Sequence, residues 1–132
     1  MNFASFFLSG LKSTLRFNNG KNLSYKGPWV RVLPDTVIDE FYVGDFLAAE
    51  YTICVDAGNV DKEVIKAMVV AGPEQAKITI YARTSINNDL ITLSASVDTS
   101  RVRLIASPIG LDNKKLIFSA NYYYTINELT ST

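Results

Sequence analysis

The chain has 132 residues, with thirteen bases balancing thirteen acids, no histidine, 48% hydrophobic and 20% charged residues. That length and apolar content describe one folded domain with its own core and exclude a disordered chain. Without His there is no imidazole base for a Ser or Cys nucleophile and no two-His metal motif. The single Cys54 allows neither an internal disulfide nor a zinc or iron–sulfur site.

The first ten residues, Met-Asn-Phe-Ala-Ser-Phe-Phe-Leu-Ser-Gly, are apolar but lack a basic start and a persuasive cleavage site. They fit an amphipathic arm better than a signal peptide. Phe3, Phe7, Leu8, Leu11 and Leu15 make a loose helical stripe, with Lys12 and Arg16 off it and Gly10 interrupting it. An extended arm broken at Gly10 fits as well. Asn18-Asn19-Gly20 signals a turn, so a small hairpin flanked by residues 14–17 and 23–25 is a third reading. No apolar run approaches the roughly 20 residues of a membrane span.

Residues 29–33 have strand composition and stop at Pro34, and residues 37–43 predict a short edge strand interrupted by Asp39-Glu40. Residues 44–49 predict a turn leading into the strand 50–55, with Tyr51, Ile53 and Val55 on one face. Residues 62–71 satisfy helical spacing through Val64, Ile65, Met68 and Val69. Their β-branched run and the Gly72-Pro73 stop favour a strand, covered on both faces near its end. Residues 77–84 set Ile78, Ile80 and Ala82 against Thr79, Tyr81 and Arg83.

Residues 90–108 hold the clearest pattern. Ile91, Leu93, Ala95 and Val97 alternate with polar residues, as do Val102, Leu104 and Ala106, around a short polar link at 98–100 that lacks Gly. This predicts an antiparallel hairpin with one wet face. The last strand spans 115–126. Strands every 8–14 residues separated by turn signals predict an all-β fold, a single antiparallel β-sandwich, jelly-roll-like, with an N-terminal arm. Residues 1–34 form the basic arm and first strand, and residues 35–132 the body.

Net neutrality hides segregation. Residues 1–34 carry five bases and no acid, residues 35–63 carry eight acids against Lys62, and residues 64–132 carry seven bases and five acids. The basic arm folds over its own acidic segment, or it lies on a second copy or another partner.

Candidate sites are few. Asp39 and Glu40 are adjacent, so in a strand they face opposite ways and cannot flank one glycosidic bond. The turn 56–61 offers oxygen ligands but lacks the spacing of a calcium loop. Arg83, Arg101 and Arg103 form a candidate contact face for anions or a neighbour's carboxylates. Trp29, Tyr122 and Tyr124 are candidate glycan or interface aromatics, with Trp29 otherwise a packing anchor. No nucleotide loop, nucleic-acid module or cofactor motif is present.

The segments Asp39-Glu40-Phe41, 48–55, 80–84, 102–108 and 115–118 resemble a small β domain of virion structural proteins of tailed phages, particularly those infecting cyanobacteria. That resemblance implies a non-enzymatic, virion-located structural subunit of tail, baseplate, neck or fibre assemblies, and it transfers no functional residues. The expected function is therefore an assembly subunit of the tail, baseplate or neck. It would contact other virion proteins or further copies of itself, without nucleic acid or membrane. Phe3, Phe6, Phe7, Leu11, Lys12, Leu15 and Arg16 would form the assembly arm. A capsid decoration protein is the nearest alternative, and a carbohydrate-binding module is the alternative of another class.

Overall fold

Side-chain alternation decides most of this fold. A computed structural model describes residues 23–58 and 60–125, which form nine strands. They are β1 (Leu23–Lys26), β2 (Val30–Arg31), β3 (Thr36–Tyr42), β4 (Phe46–Asp56), β5 (Lys62–Ala71), β6 (Ala76–Ser85), β7 (Ile91–Asp98), β8 (Arg101–Pro108) and β9 (Lys115–Tyr124). They form two antiparallel sheets packed as a sandwich. The six-stranded sheet runs β1–β9–β4–β5–β6, with β2 also pairing β9, and the three-stranded sheet runs β3–β8–β7. Pairing the first strand with the last, and β3 with β8, is the nested wrapping of a jelly roll. The β4–β5–β6 meander is an addition to it.

The core lies between the sheets. Tyr51, Ile53 and Val55 from β4, Ile65 and Val69 from β5, and Leu116, Phe118 and Tyr122 from β9 meet Phe41, Val102, Leu104, Ala106 and Ile91 from the smaller sheet. Its centre is aromatic: Phe41, Phe46 and Tyr122 contact one another at 5.4–6.2 Å between ring centroids. One carboxylate is built into it. Asp39 Oδ2 accepts hydrogen bonds from the Tyr51 hydroxyl at 2.7 Å and the Tyr122 hydroxyl at 2.6 Å. Burying a charge this way is tolerable only because donors replace its water.

The hairpin at 90–108 forms as its alternation predicts, with Asp98 opposite Arg101 and a two-residue loop between them. Thr99 and Ser100 both take positive φ, 53° and 63°. Such a loop matches the right-handed strand twist, at a conformational cost that Gly would avoid. Residues 62–71 form a strand and not a helix, with strict alternation of buried and exposed positions.

Several expectations need correction. Phe46 and Ala49 already belong to β4, so the turn before it is shorter than 44–49 and Phe46 is a core residue. Strand β2 has only two residues, and β1 lies before it on the same partner strand. The end of β5 is covered on one face only, because Met68 and Val70 stand exposed. A bulge between Lys66 and Ala67 pairs Ala67 with Ile80 and Lys66 with Ala82. The extra residue on β6, Tyr81, reverses the alternation after it, so Arg83 sits on the same side as Ile78 and Ile80. The arm residues Phe3, Phe6, Phe7, Leu11, Lys12, Leu15 and Arg16, and the turn at 18–20, lie outside the described residues.

Candidate interaction surfaces

The outer face of the six-stranded sheet is built from the positions that alternate with the core. In β5 these are Lys62, Val64, Lys66, Met68 and Val70, so three of five outward positions are apolar. Register places Glu50 and Thr79 on either side of Met68, and Ala48 and Lys77 on either side of Val70. Tyr123 lies beyond Ala48 and Asn121 beyond Glu50. Tyr81 leans over the same face, its hydroxyl 3.3 Å from Glu50 Oε1. Val64, Met68, Val70, Tyr81 and Tyr123 are all exposed, Met68 and Val70 at 47% and 53%. A shallow depression of about 250 Å³ lies among Ala48, Glu50, Met68, Val70 and Tyr123. The sequence held this signal, since both faces of 62–71 read as apolar, but not which of the two the chain itself would cover.

The outer face of the smaller sheet is polar, with Thr92, Ser94, Ser96 and Asp98 exposed along β7. Arg101 and Arg103 do line it, yet each guanidinium faces an acid of its own chain. Arg101 Nε lies 3.4 Å from Glu40 and the group sits over the Tyr42 ring, while Arg103 lies 3.4 Å from Asp98. Arg83 does not join them, which corrects the expected three-arginine face. It stands at the crossing from β6 to β7, 2.8 Å from Asp89 and 3.7 Å from the buried Glu63, and donates to the Ile91 carbonyl. Glu63 also accepts from the Ser85 hydroxyl and the Leu90 amide, so this cluster fastens one sheet to the other. Much of the acidic segment is thus consumed internally: Asp39 by tyrosines, Glu40 and Glu63 by arginines, Asp56 by Lys62 at 2.7 Å.

The three candidate aromatics do not form one site. Tyr122 is fully buried in the core, and Tyr124 is half-buried, its ring stacked on Phe46 at 5.3 Å. Trp29 is 53% exposed at the other end of β9, so it does not serve as a buried anchor. Six residues of extended chain separate Leu116, opposite Val30, from Tyr122, roughly 20 Å. The reason for Trp29's exposure is local. Gly27 lies against Phe118 so closely that a Cβ would fall 2.6 Å from Cε1, and its N–H donates to the Phe118 carbonyl. Pro28 has no N–H for the ladder, and the chain leaves β9 there before rejoining it at Val30.

Trp29 borders an open cleft of about 640 Å³ whose wall includes Arg31, Asp56, Asn113 and Lys115. Arg31 Nη2 donates to Asn113 Oδ1 at 2.9 Å. Asp56 Oδ1 accepts from Lys62 Nζ and from the Gly58 amide, both at 2.7 Å, and these bonds, Lys62's first, hold its carboxyl below the usual range. Among the described residues, no group of three or more His, Cys, Asp or Glu side chains is placed to hold a metal ion.

No protein-family model and no curated protein matches the chain. Among solved structures, it is similar to the tailspike protein of Acinetobacter phage vB_ApiP_P1, with a TM-score of 0.42 and 11% identity over 79% of this chain and 22% of that one. It is also similar to tailspike protein gp49 of Acinetobacter baumannii bacteriophage Fri1, a capsular polysaccharide depolymerase, with a TM-score of 0.40 and 16% identity over 84% of this chain and 21% of that one. The chain therefore spans about a fifth of the length of either tailspike.

Proposed function

We propose that this protein is a non-enzymatic structural subunit of a tailed-phage virion, located in the tail, baseplate or neck, that assembles through the outer face of its larger sheet. The observation that carries the reading is the two-sided apolar character of β5. Met68 and Val70 stand exposed beside Tyr81 and Tyr123, with Val64 beyond Lys66, opposite the face that packs the core. Contiguous apolar surface of this kind marks a contact with another protein. The resemblance to virion β domains supports the address, because the residues that carry it fall on β3, β4, β6, β8 and β9, in both sheets. Companion virion proteins, including further copies of this chain, supply the covering surface.

The test is the joint substitution Met68→Asp and Val70→Asp. Both side chains are about half exposed, but Asp disfavours a strand and at position 68 it faces Glu50, so each change should cost about 1 kcal/mol of folding stability. Incorporation into particles should fall sharply while circular dichroism shows a folded chain and the unfolding midpoint drops only by that amount. Normal incorporation of the folded double variant would overturn the assembly surface. Recovery of the wild-type chain on tail-free capsids alone would reassign it to capsid decoration.

A further inference from the structure

We infer that the cleft beside Trp29, at the end of the larger sheet's outer face away from Met68 and Val70, is a binding site for an acidic saccharide, a function separate from the assembly patch. Four features converge there. The indole is half exposed and held out from the sheet by the Gly27–Pro28 departure, so it presents a flat apolar face of the kind on which the C–H face of a pyranose ring stacks. Arg31 and Lys115 sit opposite one another across the β2–β9 ladder and supply two positive charges for a sugar carboxylate. Asn113 is oriented by accepting from Arg31, which leaves its amide N–H groups as donors to sugar hydroxyls. Asp56 is ionised, and its Oδ2 makes no hydrogen bond among the described residues, so it remains an acceptor for a hydroxyl.

The volume lies within the range of small-ligand sites and accommodates a short oligosaccharide rather than one small ion. Charge decides between ligand classes. Cationic ligands are disfavoured by Arg31, Lys62 and Lys115 around a single carboxylate. A nucleic-acid strand also stacks on indoles, but it needs a basic track along its backbone. Here Asp56 interrupts the cations and the chain as a whole is neutral.

Trp29 is the only tryptophan among seven tyrosines, so emission of the full-length protein excited beyond the tyrosine absorption band reports on this cleft. The probes are tetragalacturonate, neutral cellotetraose and the oligonucleotide dT8. Tetragalacturonate should change the emission saturably, with cellotetraose and dT8 at least about tenfold weaker. Calorimetry should show that Trp29→Ala loses at least about tenfold in affinity, and that Arg31→Ala and Lys115→Ala each weaken tetragalacturonate several-fold. Tyr81→Ala, on the assembly face, should bind as wild type. The inference is overturned if no heat or emission change appears up to about 10 mM tetragalacturonate. It is equally overturned if folded Trp29→Ala binds as wild type, if cellotetraose matches the acidic probe, or if dT8 binds more tightly. Trp29→Ala should enter particles normally, so loss of the sugar site and loss of assembly are separable.

Discussion

Replacing Tyr51 with Phe removes one of the two hydroxyls that converge on Asp39 Oδ2 while leaving the ring packing in place. Both tyrosines and Asp39 are at most 1% exposed, so no water replaces the missing donor. A buried hydrogen bond to a charged group contributes about 1.5–3 kcal/mol, and Tyr51→Phe should destabilise the fold by that amount. Asp39→Ala is worse, since it removes the acceptor that both phenols share, and should cost about 3–5 kcal/mol. With a urea m-value of about 2 kcal/mol/M, the first change lowers the unfolding midpoint by about 1 M.

The same cluster fixes the alkaline limit. Burial first, and the Asp39 charge second, hold both phenols well above the ordinary value of 10.0. A folded-state value above the unfolded one means that the unfolded chain releases its protons first. The stabilisation is therefore complete below pH 10 and is lost as pH rises from there towards the folded-state values. The slope is about 1.4 kcal/mol per pH unit for each phenol. Urea titrations between pH 9 and 11 should show Tyr51→Phe losing one phenol's share of that slope. Asp39→Asn should keep most of it, because burial is the larger cause. Equal stability and an unchanged alkaline slope in Tyr51→Phe would refute the assignment.

Four further changes probe the frame. Gly27→Ala places a methyl 2.6 Å from the Phe118 ring and should destabilise by about 1–3 kcal/mol in chemical denaturation, as overpacking does. Arg83→Leu leaves buried Glu63 without its cation and should cost about 2–3 kcal/mol, at the low end for a broken buried pair because Arg83 is 21% exposed. Arg103→Leu, facing an exposed Asp98, should cost about 1 kcal/mol or less. Converting Thr99-Ser100 to Asn-Gly relieves two positive φ values and should raise stability by about 1–2 kcal/mol, seen as a higher melting temperature.

The alternation in 91–97 and 102–106 was legible because each residue's face depends only on its neighbours in sequence. The same held for Tyr51, Ile53 and Val55. What escaped depends on the partner strand. Arg83 stands on β6, in the other sheet from Arg101 and Arg103, and the bulge at Tyr81, which exists only in the pairing of β6 with β5, turns it from the outer face of that sheet to the clamp on Glu63. Trp29 gives a similar lesson. Its type suggests a buried anchor, but its exposure follows from Gly27 closing on Phe118, a residue 91 positions away in sequence. Strand periodicity puts Tyr122 and Tyr124 on one face, and only the layer over that face decides that Tyr122 is core.

The two outer faces of the sandwich explain why assembly is assigned to the larger sheet. On the smaller sheet, Thr92, Ser94 and Ser96 bond readily to water, and the arginines already have carboxylates beside them. Covering that face would strip water from groups that gain nothing in return. On the larger sheet, burying Met68 and Val70 removes apolar surface at about 25 cal/mol per Å². Lys77 and Glu50 sit beside them on the neighbouring strands, where their charged ends can stay at the rim of a contact. A partner reading this surface would find an apolar centre edged by opposite charges. Reversing the charges with Glu50→Lys and Lys77→Glu should therefore slow association without removing the apolar contact. Met68→Asp places a charge in the centre itself and should abolish it.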